Sequence, residues 1–226
     1  MSMQVNHVGI ILDGNRRFAK KMLLESWKGH EYGTEKVEQL FDWCKELDIK
    51  ELTLYIFSMQ NFNRSKTEVS YLMDLFCKFF SSVNIREKIK DNGIAVRFIG
   101  RTRLLPQKVQ ETIHKLEDET KHHKTFKVNF AMAYGGREEI IDGINRLMKE
   151  GIKEVDENTF SKYLYLQNEP DLIIRTGGDK RTSNFLVWQS WYSEWFFVDK
   201  YWPEFEKEDL AEIVEEFSQR QRRFGK

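Results

Sequence analysis

Five short apolar runs, each followed by a stretch of helical periodicity, constrain this chain more than any other feature. Residues 8–12, 52–57, 94–99, 126–133 and 172–174 are rich in β-branched or aromatic side chains and bounded by polar residues or glycine. That is the pattern of buried strands. Between them, Val37, Leu40, Phe41, Cys44 and Leu47 recur at helical spacing, as do Val69, Leu72, Met73, Phe76, Phe79, Phe80 and Val83. Pro106 opens a further helix at its first position. Gly136 precedes another that carries Ile140, Ile141, Ile144 and Leu147, and Leu210, Ile213, Val214 and Phe217 form the last. Strands separated by helices predict an α/β fold, a mostly parallel sheet flanked by helices on both faces. Ligands of such sheets bind beyond the carboxyl ends of the strands.

The residues at those ends are unusual. The first run stops at "DGNRR", the second at "FSMQNFNRSKTE", the fourth at "AMAYGGRE" and the fifth at "IRTGGDKRTSNF". A parallel sheet would gather Arg16, Arg17, Arg64, Arg137, Arg175 and Arg181 on one rim. Arginine binds phosphate oxygens through paired, charge-assisted bonds, and glycine lets backbone N–H groups approach an anion. One such arginine alone reads as a surface ion pair; six at strand ends read as a site for more than one phosphate. Neither GxxxxGK[ST] nor GxGxxG occurs, so a nucleotide P-loop or dinucleotide site lacks a motif. Asp13 among the cations reads as an ion pair with Arg17, as a helix cap, or as a carboxylate for Mg²⁺. Glu194 is a second candidate ligand, or a solvent-facing acid.

Composition narrows the class. Lys+Arg and Asp+Glu both total 36, so no overall basic charge favours nucleic acid and any phosphate site must be local. The 226 residues hold 40% apolar side chains and show no linker, which predicts one domain over 1–226. Cys44 and Cys77 lie in apolar helical patterns without CxxC spacing and read as reduced core residues of a cytoplasmic protein. No signal peptide is expected, and no run approaches the roughly 20 apolar residues of a membrane span. His122 and His123 read as solvent-exposed residues on a polar turn.

The segments "HVGIILDGNRRFAKK", "LTLYIFSMQNFNR", "AMAYGGRE", "IRTGGDKRTSNFLVWQSWYSEWFF", "WPEF" and "RRFG" occur in this order across residues 6–225. In this set the chain resembles the cis-prenyltransferases (Z-type isoprenyl diphosphate synthases) of the undecaprenyl diphosphate synthase kind. The resemblance implies a six-stranded parallel sheet, a hydrophobic tunnel between sheet and helices, and a homodimer. It implies extension of an allylic prenyl diphosphate by isopentenyl diphosphate with Mg²⁺, giving cis double bonds, with peripheral membrane contact for product release.

By the same resemblance Asp13, Asn61 and His30 are the catalytic residues, and Asp13 and Glu194 hold Mg²⁺, Glu194 across the dimer. Gly14, Asn15, Arg16, Arg17 and Phe18 form the cradle of the allylic diphosphate, with His30 beside it. Ser58, Asn61, Phe62, Arg64 and Glu68 order the loop and helix over the reacting carbons. Arg175, Arg181 and Ser183 hold the second diphosphate, and Arg223 and Gly225 form a C-terminal Arg-x-Gly motif that reaches a partner's site. His30 also reads as a surface residue at a helix start. Ile56, Val69, Met73, Phe76 and Phe80 read as tunnel wall or as ordinary core. The aromatic stretch 185–205 reads as core and dimer interface.

Four positions depart from the long-chain pattern of the family. Ser26 replaces an arginine for the allylic diphosphate, which Lys20, Lys21 or Lys28 would compensate only as point charges. Gln60 replaces an acid, Lys180 replaces a histidine, and Ile56 is bulky where a small residue is usual. Together they lead us to expect a short-to-medium product. They also keep two alternatives open: condensation of two allylic diphosphates, and a non-catalytic partner subunit.

Overall fold

The computed structural model describes residues 4–220. Six strands form one sheet in the order β3-β4-β2-β1-β5-β6, every neighbouring pair parallel. They are β1 (His7–Ile11), β2 (Glu51–Ser58), β3 (Ile94–Ile99), β4 (Phe126–Tyr134), β5 (Leu172–Arg175) and β6 (Glu194–Phe197). Parallel pairing demands a crossover between strands, and helices supply most of these. They are α1 (Asn15–Lys21), α2 (Gly29–Glu46), α3 (Lys66–Ser81), α4 (Val83–Asp91), α5 (Gln107–Thr120), α6 (Gly136–Lys149), α7 (Glu157–Ser161) and α8 (Lys207–Gln219).

The five strands expected from the sequence are present, with ends moved by at most one residue. β6 was not expected from its residues: four positions on an edge carry too little alternation to signal a strand. Pro106 stands just outside α5 as its cap rather than inside it. The main core packs Val8, Ile10, Leu52 and Leu54 of the sheet against α2, α3, α5 and α8. The opposite face buries Ile11, Tyr55, Ala131, Tyr134 and Ile173 beneath Leu166, Phe185 and Leu186. Both cysteines are buried and free. His122 is exposed, but His123 is half-buried, its Nδ1 2.9 Å from the carbonyl of Ile94.

Of the aromatic stretch 185–205, Phe185, Phe196 and Trp202 are buried, whereas Trp191 is 65% exposed. Among the described residues no helix is long and apolar enough to cross a membrane.

Two irregularities shape the rim above β2 and β4. Tyr55 pairs Ala131, yet Phe57 pairs Met132 and Ser58 pairs Tyr134. Ile56 is therefore an extra residue on β2, and Ala133, at φ 47°, is one on β4. Such bulges re-aim side chains at strand ends.

Candidate active site

β1 carries Asp13 to the rim, and two later segments hold it there. The Asp13 carbonyl accepts hydrogen bonds from Thr176 Oγ1 at 2.7 Å and Trp202 N at 3.0 Å. Its carboxylate accepts from Gly14 N and from Arg175 Nη2, both at 2.7 Å, and lies 3.3 Å from Arg17. Arg175, at the end of the neighbouring β5, is only 3% exposed. Its Nη1 donates to Arg181 O and Ser183 Oγ at 2.6 Å, while its Nε is buried with no hydrogen-bond partner.

Asn15 is fixed by glycines. Its Nδ2 donates to Leu12 O at 2.9 Å. A Cβ on Gly29 would stand 1.9 Å from Asn15 O, and one on Gly33 2.4 Å from Asn15 Oδ1. Two glycines in one helix each cost roughly 1 kcal/mol relative to alanine, so their spacing marks a required close approach. Gly14 at φ 105° meets a second constraint, since a Cβ there would lie 2.8 Å from the Tyr201 ring. The result leaves Asn15 Oδ1 buried without a hydrogen-bond partner.

The end of β2 builds the opposite wall. Asn61 Oδ1 accepts from Ser58 N at 2.9 Å, closing a capped turn. Arg64 reaches buried Glu68 at 3.0 Å, and Arg16 approaches the same carboxylate at 3.7 Å. His30, in the first turn of α2, is half-buried, and its Nε2 is enclosed without a partner. Burial first, then the charges of Arg64 and Arg16, lower its pKa to about 3. His30 is thus neutral near pH 7, with one ring nitrogen aimed at no protein group. Ser183 and Asn184 both have positive φ, as does Leu186. Asn184 is held by Arg137 N at 2.9 Å and by Glu138 at 2.8 Å. Backbone strain of this kind collects at binding sites.

These walls surround a cavity of about 560 Å³. Asp13, Asn15, His30, Ser58, Asn61, Arg64, Arg175, Arg181 and Ser183 line it, all expected from the sequence. Toward the sheet interior, the lining turns apolar through Ile56, Leu75, Phe76, Phe79, Phe80 and Phe130. Phe130 is four residues before the end of β4, about 13 Å below the rim. Phe80 and Phe130 form the floor, with Phe98 behind them, the three rings packed at 4.8–5.4 Å.

Other expected residues lie elsewhere. Arg17 pairs with Asp179 at 3.0 Å and stacks 5.5 Å from Tyr201, and does not line the cavity. Phe18 packs edge-on against Tyr32. Phe62 packs against Phe57 and, with Val69 and Met73, lines a separate cleft beside Pro106. Ser26 and Lys180 do not line the cavity, whereas Gln60 does. Lys21 is drawn to Glu204 at 2.5 Å, Lys28 lies 3.9 Å from Glu25, and neither lines the cavity. Glu194 begins β6, at the other end of the strand from the Arg175 level, and pairs with Arg220 at 2.6 Å. This chain does not bring it to Asp13. Arg223 and Gly225 lie outside the described residues.

The sequence reading missed Gly33, Thr34, Val37, Leu75 and Asn184 in the lining. The glycine pair at i, i+4 in α2 was the available signal for the first three.

The donor set suits one kind of metal. Among the described residues no cluster of three or more His, Cys, Asp or Glu exists. That excludes a zinc-like cage there but not Mg²⁺, which takes one or two carboxylates and completes its shell with water and phosphate. Asp13 supplies the carboxylate, and the unpartnered Asn15 Oδ1 is a hard oxygen close by.

Residues 11–225 match the undecaprenyl diphosphate synthase family. Similar proteins include tritrans,polycis-undecaprenyl-diphosphate synthases (geranylgeranyl-diphosphate specific) from two archaea. The one from Methanopyrus kandleri is 48% identical, covering 97% of this chain and 84% of its own length. The one from Thermococcus kodakarensis is 44% identical over 97% and 86%. Among solved structures, lavandulyl diphosphate synthase from Lavandula x intermedia, in complex with dimethylallyl diphosphate, superposes with a TM-score of 0.93. It shares 35% identity and covers 99% of both chains. A probable undecaprenyl diphosphate synthase from Campylobacter jejuni gives 0.86 at 32% identity, over 99% of this chain and 100% of that one.

Proposed function

The chain belongs to the undecaprenyl diphosphate synthase family and is a prenyltransferase, and on that premise we propose that it extends geranylgeranyl diphosphate with isopentenyl diphosphate in the cis configuration. The observation that carries this is the cavity, which joins a cationic rim with one carboxylate to an apolar interior. A prenyl diphosphate has the same two-part chemistry. The primer's diphosphate would meet Asn15, His30 and the cations of α1, and its chain would enter between β2 and α3, which we read as the tunnel. Isopentenyl diphosphate would be held by Arg175, Arg181 and Ser183.

Mg²⁺, when bound, would neutralise charge developing on the departing diphosphate. Asp13 would hold that ion, and the arginines would stabilise the same charge. As the allylic C–O bond breaks, the isopentenyl double bond attacks the freed carbon, and a proton leaves the adjacent carbon for the released diphosphate. Neutral His30 would donate a hydrogen bond to that diphosphate rather than remove the proton.

Product length, on this reading, is set by Phe80 and Phe130 on the floor rather than by Ile56. Ile56 is two residues from the end of β2, near the rim. The likeness to the two undecaprenyl diphosphate synthases supports a product of undecaprenyl length rather than a short-to-medium one, and a floor about 13 Å below the rim would have to give way as that chain grows. The enzyme would act in the cytoplasm as a homodimer, with Glu194 offered to a partner's site.

The test is incubation with Mg²⁺, labelled isopentenyl diphosphate and primers of several lengths, followed by analysis of the dephosphorylated products. Label is expected in a long cis product, best with geranylgeranyl diphosphate. No incorporation with any primer would instead favour the non-catalytic subunit. A second reading, condensation of two allylic diphosphates, draws support from Ser26 and from the likeness to a structure holding dimethylallyl diphosphate. It predicts product from allylic diphosphates alone, without isopentenyl diphosphate.

A further inference from the structure

We propose that Tyr55 is a positioning residue of the active site, whose hydroxyl holds the Ser183 peptide so that Ser183 and Arg175 present their donors to the second diphosphate. The inference rests on the prenyl diphosphate reading above and adds a residue to its isopentenyl diphosphate site.

The observation is a hydroxyl in an apolar layer. Tyr55 lies on β2, one residue before the bulge at Ile56. It is 8% exposed and packs among Ile11, Ala131, Ile173, Phe185 and Leu186. Its ring stacks on Phe185 at 4.8 Å, with 16° between the planes. Gly9 of the neighbouring β1 permits this approach, since a Cβ there would stand 3.2 Å from the Phe185 ring. Phenylalanine at 55 would serve that packing equally, and a buried tyrosine oxygen needs a partner of its own. The hydroxyl shares its proton between two carbonyls, Tyr134 O at 3.2 Å and Ser183 O at 3.3 Å. Burial raises the phenol pKa, so the group stays a donor throughout the neutral range.

One of those carbonyls is fixed and the other is strained. Tyr134 ends β4, is fully buried, and donates its own hydroxyl to Glu139. Ser183 has φ 50° and is followed by Asn184 at φ 64°. Two successive left-handed residues other than glycine persist only where their surroundings hold them. Asn184 is held at both ends, its carbonyl accepting from Gly136 N at 2.7 Å. Ser183 is held at its hydroxyl by Arg175 Nη1 at 2.6 Å and at its carbonyl by Tyr55. Without the Tyr55 bond the Ser183 backbone is free to relax, and its Oγ leaves Arg175. That matters because Arg175 Nε has no partner, so the guanidinium takes its orientation from Asp13, Arg181 O and Ser183. Tyr55 borders the cavity beside these residues. Its oxygen is spent on the protein, which makes it a positioning rather than a catalytic group.

The test is Tyr55→Phe in the full chain, assayed with Mg²⁺, geranylgeranyl diphosphate and labelled isopentenyl diphosphate. KM for isopentenyl diphosphate should rise about three- to tenfold, the worth of one neutral hydrogen bond, while kcat and KM for the primer stay within about twofold. Calorimetric titration with isopentenyl diphosphate and Mg²⁺ should show the same loss of affinity without turnover. Adding Tyr55→Phe to Ser183→Ala should raise KM no further, because both act through one contact. An unchanged affinity for isopentenyl diphosphate in Tyr55→Phe would overturn the proposal. So would additive effects in the double variant, or kcat and both KM values moving together. Melting of Tyr55→Phe below the assay temperature would also overturn it, by making the hydroxyl a support of the fold. Wild type that binds and incorporates no isopentenyl diphosphate would instead refute the prenyl diphosphate reading, and this inference would fall with it.

Discussion

Replacing Asp13 by alanine should separate two roles of that carboxylate. Arg175 is 3% exposed and draws its counter-charge from Asp13 at 2.7 Å. Removing one partner of a buried pair costs about 3–5 kcal/mol, because the other charge is left uncompensated. Two features reduce the figure here. The Asp13 side chain is itself 29% exposed, so water reaches the freed Nη2, and Arg175 keeps Arg181 O and Ser183 Oγ. We expect a loss of about 2 kcal/mol. For a chain of this size that lowers Tm by roughly 4–8 °C. Turnover should fall by about a hundred- to a thousand-fold or more, the effect of losing one electrostatic stabiliser of a leaving anion. Asp13→Ala with Arg175→Met removes the stranded charge and should recover most of the Tm but none of the turnover. Thermal unfolding and product analysis on all three proteins read both quantities. The reasoning is refuted if Asp13→Ala melts with wild type while product still forms, or if the double variant is no more stable than the single.

His30 binds its proton at pH 6.5 in the unfolded chain and near 3 in the folded one. The unfolded state therefore holds more protons between those values, and stability should fall as pH drops from about 6.5 toward 3, by up to about 1.4 kcal/mol per pH unit. His30→Asn should flatten Tm against pH over that window. Phe80→Leu should shift products toward longer chains by opening the floor, whereas Ile56→Ala should leave the length distribution unchanged; chromatography of dephosphorylated products decides. Ser26→Arg should lower KM for the allylic primer about tenfold if the turn before α2 can reach its diphosphate, since one charged hydrogen bond contributes about 1.5–3 kcal/mol; an unchanged KM would place that contact elsewhere.

The strand ends were the most readable part of the chain. An acid, an amide or an arginine after an apolar run has few structural uses, and the parallel rule brings Asp13, Ser58 and Arg175 to one rim. Strand order was not readable, because no local residue says that β1 should lie between β2 and β5. β6 escaped because Glu194–Phe197 sits on an edge inside an aromatic-rich segment with no turn signal. Val69 and Met73 share the apolar face of α3 with Phe76 and Phe80, yet turn into a different cleft. A helical face spans more than one neighbour, and periodicity cannot divide it. Nor could sequence foresee the left-handed Ser183 and Asn184, the first bonded to Arg175 and the second to Arg137 N and Glu138 across the site.

The position of β1 also sets a schedule. β1 lies between β2 and β5, and Asp13 meets Arg175 across 162 positions of chain. During synthesis at roughly 5–20 residues per second, about 10–30 s separate the two residues. One edge of β1 waits through that interval with its backbone groups unpaired, and the rim of the cavity is incomplete until β5 brings Arg175 to Asp13. A fragment of residues 1–174 thus contains Asp13 and every residue of α1, yet lacks the counter-charge that Arg175 gives Asp13. The Asp13–Arg175 rim is consequently a property of a chain at least three-quarters made, and on the proposed reading a prenyl diphosphate could not bind the nascent protein as an aid to folding until then.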